Sequence, residues 1–301
     1  MKTISVIIPI EDESIDIPSL DFLKKVDYPQ ENFEIILKTG RWPSIQRNEA
    51  VKEAKGEILY FCNRDSRVEP DIFKKIVEKM DKDEKIAGVG GPDLTPPNNN
   101  YIQHLFGYAM GSYFAHWKMR ARYAEIGKER VSDEKELLLS NLAIRKDIFL
   151  KANGFSNRLY PNEENELINR IIKIGYKFIY SPEIKIYRDR RKTLLGFIKQ
   201  FYRYGQGRMK QIFIEGFSRN LIFFIPVFYS IYLAILPIAR NVRFIFAPLY
   251  LYIILAIIDS LYLSFKYKRF LVLWLPSLYL IMHISYAIGM LACIYNYFIF
   301  R

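Results

Sequence analysis

The chain has 301 residues, of which 50% are hydrophobic and 25% are charged, and its formal net charge is +12. This length allows one large domain or two smaller ones. The two cysteines, Cys62 and Cys293, offer neither a disulfide framework nor the spacing of metal ligands. Lysine and arginine crowd between residues 185 and 219, which argues against a nucleic-acid surface and predicts contact with an anionic membrane leaflet.

Short apolar runs alternate with helical stretches over the first hundred residues. The runs predict strands at residues 4–9, 33–37, 58–62 and 87–92, with helices near 20–26, from 45 onward and over 71–80. This alternation is typical of a mostly parallel, nucleotide-binding α/β sheet. Neither G-x-G-x-x-G nor G-x-x-x-x-G-K-[ST] occurs, so a dinucleotide-binding fold and a P-loop are both unsupported.

The polar residues after the run at 58–62 are the first candidates for a site. Asn63 and Asp65 follow a predicted buried strand, and ligands of such sheets bind beyond the carboxyl ends of the strands. The oxygens of these two side chains could hold a hard cation, and the cation a diphosphate. The alternative is a solvated turn in which Asp65 caps the next helix.

The acidic segment at residues 162–166 is a second candidate. The elements predicted around it are helices over 102–124, 146–152 and 167–174, and strands over 137–144 and 176–180. Several carboxylates in the first turn of a helix complement the helix dipole. A carboxylate held there in a cleft is also well placed to deprotonate a hydroxyl.

Charged residues become rare after residue 220. Apolar runs at 221–239, 244–265 and 270–291 are each long enough to cross a hydrocarbon core of about 30 Å as a helix. A basic amphipathic helix over 193–204 is expected to lie at the membrane interface with its apolar face towards the lipid. Asp259, inside the second run, should face another helix or a polar cavity, with His283 as a conceivable partner.

These features divide the chain into three predicted parts. They are a cytoplasmic domain (1–192), a basic interface helix (193–218) and a membrane domain with about three transmembrane helices (219–301). The apolar run at residues 4–10 is too short for a secretory signal, and the basic segment before the first span is typical of the cytoplasmic side. A multi-pass membrane protein with its first domain in the cytoplasm is therefore expected.

Six segments support a family assignment: ISVIIPI, RNEAVKEAKGEILYFCNRDSRVEPDIF, SNLAIRKDIFLKANGF, NEENEL, YSPEIKIYR and KQFYRYGQGR. In this order and spacing they resemble the family 2 glycosyltransferases over residues 3–211, and most of all the ExoA-like exopolysaccharide enzymes. The resemblance implies an inverting enzyme of the GT-A fold, followed by C-terminal transmembrane helices. It also implies a nucleotide-sugar as the donor.

The resemblance implies roles for individual residues. Asn63 and Asp65 take the first and last positions of the D-x-D motif, which faces the metal-bound diphosphate. Glu164 takes the position of the general base, and Glu163 orients the base or the acceptor. Further residues are Arg47 and Asn48 near the nucleotide, Asn141 and Gly154 near the sugar, and Arg203 and Arg208 in a basic patch near the diphosphate or a lipid-linked acceptor.

Two departures from the family pattern concern the cation. Asn63 is an uncharged ligand, and Arg188 replaces a histidine that is common after the last strand; an arginine cannot bind a metal. Either Asp65 holds Mg²⁺ or Mn²⁺ with help from water and the diphosphate, or Arg188 supplies the positive charge directly. We expect metal dependence to be weakened but not absent.

The expected reaction moves the sugar to a hydroxyl of a lipid-linked or growing saccharide, in polysaccharide or glycoconjugate synthesis. A close alternative acceptor, polyprenyl phosphate, is already an anion and needs no general base. A different class, a membrane-anchored pseudoenzyme that only binds the nucleotide-sugar, is supported by Asn63 and the missing histidine. QFYRY stands in place of the Q-x-x-R-W pattern of processive members, which favours a single addition.

Overall fold

The computed structural model describes residues 1–217, 221–239, 241–271 and 273–299 of the chain. Within these ranges the chain forms a sheet unit, Met1–Asn98 with Lys118–Asp189, and a helical unit, Asn99–Trp117 with the chain from Arg190 onward. The domain boundary at residue 192 stays a prediction. The boundary between residues 218 and 219 lies outside the described residues.

The sheet unit contains all the strands and several helices, and the described residues of the helical unit form helices. The strands are β1 (Ile4–Ile10), β2 (Phe33–Thr39), β3 (Ile58–Cys62), β4 (Arg67–Val68), β5 (Ile86–Gly90), β6 (Asp93–Leu94), β7 (Arg130–Ser132), β8 (Asn141–Arg145), β9 (Lys177–Tyr180) and β10 (Ile186–Tyr187). The helices are α1 (Ser19–Leu23), α2 (Pro43–Glu53), α3 (Ile72–Met80), α4 (Tyr101–Met110), α5 (Tyr113–His116), α6 (Lys146–Lys151), α7 (Glu163–Lys173), α8 (Leu194–Glu215), α9 (Ile225–Ile235), α10 (Ala247–Tyr267) and α11 (Leu275–Ile299).

The main sheet has the strand order β2-β1-β3-β8-β5-β9-β7. Within the described sheet unit, five of these seven strands run in one direction, and β8 and β7 run against their neighbours. The predicted mostly parallel α/β sheet is confirmed. β3 is buried along its whole length because its residues are apolar on both faces. The polar residues that follow β3 therefore emerge at the carboxyl edge of the sheet.

A second, three-stranded sheet has the order β4-β10-β6. Ile186 of β10 pairs with Val68 of β4 on one side and with Asp93 of β6 on the other. Strands of two residues show no periodicity, so they have no counterpart among the predicted elements. This small sheet gathers the segments that follow β3, β5 and β9 in the chain.

Two predicted elements are wrong in their extent. The helix predicted over 102–124 is interrupted, because α4 ends at Met110, the Ser112 hydroxyl caps α5, and Trp117 has a φ of 47°. The strand predicted over 137–144 begins only at Asn141, since the preceding residues form a turn in which the Asn141 amide donates to the Leu138 carbonyl at 3.0 Å. The edge strand β7 is an addition to the predicted elements.

In the helical unit, α8 extends beyond the amphipathic stretch predicted over 193–204 and packs against α11. The helices meet at two glycines: a Cβ atom on Gly205 would lie 2.1 Å from the Tyr286 carbonyl oxygen, and one on Gly289 would lie 2.0 Å from that of Tyr202. Phe197 is fully buried on the apolar face of α8. Phe201 of the same face is also buried, whereas Leu194 and Leu195 at the start of α8 are exposed. The contact of this face with lipid stays a prediction.

Two helices among the described residues, α10 and α11, are long and apolar enough to cross a membrane. The apolar segment Leu221–Ile235, where the first span is predicted, is shorter, and residue 272 of the predicted third span lies outside the described residues. Asp259 faces a neighbouring helix as expected, accepting hydrogen bonds from Ser112 Oγ at 2.7 Å and Tyr279 Oη at 2.6 Å. His283 bonds instead to Tyr252 Oη at 2.9 Å, so its pairing with Asp259 is wrong.

Replacing Gly205 with leucine is expected to destabilise the helical unit. The new side chain meets a backbone carbonyl rather than a flexible side chain, so α8 must move away from α11. Overpacking of this kind costs about 1–3 kcal/mol. The full-length protein in detergent should show a lower apparent Tm by scanning fluorimetry, whereas Ile214→Ala, on the exposed side of α8, should change it little. An equal effect of both substitutions would contradict the close helix contact.

Candidate active site

The chain turns sharply after β3 and presents two of the predicted site residues. The Ser66 amide donates to the Asn63 carbonyl at 3.0 Å, and the Asn63 amide donates to Ser66 Oγ at 3.2 Å. The Asp65 side chain at the tip of this turn is 45% exposed. Strand β4 follows directly and α3 begins only at Ile72, so the alternative that Asp65 caps a helix is wrong.

Arg188 lies between two carboxylates at this edge of the sheet. Its Nε donates to Asp65 at 3.1 Å, and its Nη1 donates to Asp93 Oδ2 at 3.1 Å. Asp93 is fully buried, and Ser140 Oγ lies 3.4 Å from the same oxygen. The small sheet explains the meeting, because Asp65 precedes β4, Asp93 begins β6 and Arg188 follows β10.

A buried ion pair stands beside the turn. Arg47 on α2 donates through Nη1 to Glu163 Oε1 at 2.7 Å, and both side chains are at least 94% buried. The second terminal nitrogen of Arg47 lies 3.4 Å from Asn63 Oδ1. Through Arg47, the first turn of α7 is connected to Asn63 at the end of β3, so the acidic segment lies close to this turn.

Glu163 and Glu164 are both buried, but their surroundings differ. Burial raises the pKa of the Glu163 carboxyl to about 7, the Arg47 guanidinium opposes this shift, and the neighbouring Glu164 carboxylate adds to it. Within the described ranges, the Glu164 carboxylate forms no hydrogen bond or ion pair with another side chain. Glu163 is thus held by an ion pair, whereas no other side chain in the described ranges binds the Glu164 carboxylate.

Three residues that are predicted to contact the donor form hydrogen bonds or close contacts within the protein. The Asn48 amide bonds to both backbone groups of Phe155, and it lies against Gly154, where a Cβ would be 2.7 Å from Asn48 Oδ1. Asn141 is fully buried between the Tyr60 hydroxyl at 3.0 Å and the Ile184 carbonyl at 2.7 Å. This geometry favours supporting roles for Asn48, Gly154 and Asn141; their contacts with nucleotide or sugar stay predictions.

The predicted basic patch lies on α8 in the helical unit. Arg203 is exposed, whereas Arg208 is only 2% exposed and stacks over the Phe223 ring at 3.8 Å. The role of both residues towards a diphosphate or an acceptor stays a prediction.

Asp93 is a site residue that sequence reasoning missed. It follows the end of β5 after Gly91 and Pro92, much as Asp65 follows the end of β3. An acidic residue just beyond the carboxyl end of a second predicted strand was the available signal. Its ion pair with Arg188 depends on β10, which shows no periodicity.

The side chains at the turn suit a cation only in part. Within the described ranges, no three His, Cys, Asp or Glu side chains converge as metal ligands. Asp65 offers one accessible carboxylate and Asn63 one amide oxygen. Mg²⁺ is commonly held by one or two carboxylates together with substrate phosphates and water. The residues therefore fit a divalent cation that arrives with a diphosphate.

Comparisons with known proteins show the family and the fold of this chain. The family described as "Glycosyl transferase family group 2" matches residues 58–300. A dolichyl N-acetyl-alpha-D-glucosaminyl phosphate 3-beta-D-2,3-diacetamido-2,3-dideoxy-beta-D-glucuronosyltransferase of Methanococcus voltae is 24% identical, over 95% of this chain and 96% of that protein. The mannosyltransferase PcManGT from Pyrobaculum calidifontis, solved with GDP-Man and Mn²⁺, matches 98% of this chain and 88% of its own, with a TM-score of 0.68 and 14% identity. The last likeness shows a shared fold.

Proposed function

Because this chain belongs to glycosyl transferase family group 2, we propose that it moves a sugar, with inversion, from a nucleotide-sugar to a hydroxyl of a lipid-linked saccharide. Two similar proteins support the two substrates. The Methanococcus voltae enzyme is named for a dolichyl-linked sugar phosphate, and the Pyrobaculum mannosyltransferase was solved with a nucleotide-sugar. The apolar helices α10 and α11 are consistent with an acceptor that is anchored in a membrane.

The observation that carries the proposal is the contrast between Glu163 and Glu164 at the start of α7. Glu164 is the general base: it takes the proton of the acceptor hydroxyl as that oxygen attacks the anomeric carbon. The attack comes from the face opposite the diphosphate, so the bond from the anomeric carbon to the diphosphate oxygen breaks as the new glycosidic bond forms. The products are the inverted glycoside and the nucleoside diphosphate.

The buried Arg47–Glu163 pair positions this base. An ion pair with 94% or more of each side chain buried is held in one geometry, and Glu163 directly precedes Glu164 in the helix. Fixing a base within reach of one hydroxyl is a large part of what such a site contributes to the rate. Arg47 also points towards Asn63, on the donor side of the site.

Asp65, with Asn63, would hold Mg²⁺ or Mn²⁺ in this reaction. The cation supplies positive charge to the leaving diphosphate. The half-exposed carboxylate of Asp65 fits this task as one ligand of a cation that is also bound by phosphate oxygens.

We place the sheet unit in the cytoplasm, where nucleotide-sugars are made, and the helical unit in the membrane as a multi-pass domain. The basic residues that precede the apolar helices support this orientation. The product then enters a polysaccharide or glycoconjugate on the cytoplasmic leaflet.

A transfer assay tests the proposed function. Membranes that contain the full-length protein are incubated with a panel of labelled UDP- and GDP-sugars, and we expect one of them to label the lipid fraction. Membranes from the same host without the protein are the control. Nuclear magnetic resonance of the product should show the anomeric configuration opposite to that of the donor. Binding of a nucleotide-sugar without any transfer would favour the pseudoenzyme instead.

A further inference from the structure

Arg188 occupies a place where the proposed reaction needs a cation. Its guanidinium contacts the half-exposed carboxylate of Asp65 and the fully buried carboxylate of Asp93. The backbone fixes this placement, because the Arg188 amide donates to the Leu94 carbonyl at 2.9 Å and so extends the pairing of β10 with β6. The guanidinium is thus built into the site.

The two carboxylates hold Arg188 for different reasons. Asp93 has 1% of its side chain exposed, and a buried carboxylate needs a cation or several donors nearby. Asp65 is solvated on one side and can exchange its partner. Arg188 is therefore anchored by Asp93, and its contact with Asp65 is the one that can open.

We propose that Arg188 is an internal counter-cation that keeps free divalent cations off Asp65, so that the metal binds only together with the donor diphosphate. This inference rests on the proposed function. A free cation would have to displace the guanidinium from Asp65 and would gain a single carboxylate, because Asn63 is neutral. A cation already bound to a diphosphate brings its own phosphate oxygens as ligands.

The diphosphate also gives Arg188 a new partner. Once Asp65 binds the cation, its contact with Arg188 would be lost, while the contact of Arg188 with Asp93 would remain. The guanidinium could then donate to a phosphate oxygen, for which its planar arrangement of donors is suited. Without the donor, the Arg188 guanidinium is engaged by Asp65 and Asp93, so an uncomplexed diphosphate would have to compete with Asp65 for it. Metal and nucleotide consequently bind as a pair.

Titration of free Mn²⁺ tests this proposal without any sugar transfer. The full-length protein in detergent is titrated with Mn²⁺ and the bound fraction is read by electron paramagnetic resonance. We expect weak binding to the wild type and at least about tenfold tighter binding to Arg188→Ala, in which the Asp65 carboxylate has lost its guanidinium partner. Adding Asp65→Asn to Arg188→Ala should abolish the gain. Arg64→Ala, an exposed arginine in the same turn, is the matched control.

The outcomes separate this inference from the proposed function. Wild-type protein that binds free Mn²⁺ as tightly as Arg188→Ala would overturn the inference, and so would a gain that survives Asp65→Asn. Should loss of charge beside Asp93 prevent folding, Arg188→Lys keeps a cation there but lacks the fork that reaches both carboxylates. It should still bind Mn²⁺ more tightly than the wild type, and unchanged binding would overturn the inference. A transfer assay that yields no product would contradict the proposed function, but it would not change the outcome of the Mn²⁺ titration.

Discussion

Glu164→Gln is expected to lower kcat for sugar transfer by about 10²- to 10⁴-fold, the range that a positioned general base contributes. Glutamine has nearly the same shape, and the carboxylate it replaces forms no side-chain hydrogen bond within the described ranges, so the fold should be unaffected. Binding of the donor, measured by calorimetry, should change little because the base acts on the acceptor. The matched control is Glu84→Gln, an exposed glutamate before β5, which should retain full activity.

A small effect of Glu164→Gln would change the proposed acceptor. If kcat falls less than about tenfold while the control behaves as expected, the acceptor oxygen needs no base. That result is the one expected for polyprenyl phosphate, whose oxygen is already negative. Supplying polyprenyl phosphate and a lipid-linked saccharide in parallel reactions would then identify the acceptor directly.

Arg47→Met is expected to lower the apparent Tm by roughly 10 °C at about pH 8. The substitution leaves the buried Glu163 carboxylate without its cation, and breaking a buried ion pair from one side costs about 3–5 kcal/mol. The double variant Arg47→Met/Glu163→Met removes both charges and should regain most of the loss. Scanning fluorimetry of the full-length protein in detergent measures these shifts. Equal losses in the single and double variants would attribute the effect to packing instead of charge.

The pH dependence of this loss follows from Glu163. Its folded pKa of about 7 lies above its ordinary value of 4.5, so the folded protein binds one more proton between these values. The contribution of Glu163 to the free energy of unfolding is therefore greatest below the ordinary pKa of 4.5. It is lost as the pH rises through the folded pKa of about 7. Without Arg47 the folded pKa rises further, so Arg47→Met should differ from the wild type least near pH 5 and most above pH 7.

The sequence predicts the parts of the site that depend on local signals. The strand at 58–62 and the turn with Asn63 and Asp65 were predictable, because a short apolar run and its polar end lie within eight residues of each other. The Arg47–Glu163 pair joins residues 116 positions apart, and no local pattern reports such a contact. The resemblance named both residues, but which of the two glutamates is held by an arginine could be read only from the structure.

Periodicity identified α8 but not its surroundings. An apolar stripe shows which side of a helix is buried, and either lipid or another helix can cover it. In α8, Phe197 and Phe201 are covered within the helical unit, whereas Leu194 and Leu195 are exposed. Similarly, the two-residue strands β6 and β10 form only because they pair with each other. The contacts of Arg188 with Asp65 and Asp93 depend on this pairing, so no local sequence pattern predicts them.

The position of β8 has a consequence for how the chain folds during synthesis. β8 lies between β3 and β5, although about fifty residues separate it from the end of β5 in the chain. Until residues 141–145 leave the ribosome, β3 and β5 each present an unpaired edge, and unpaired edges invite pairing with other chains. Fragments that stop before β8 should therefore aggregate, and nascent chains of that length are natural clients for chaperones.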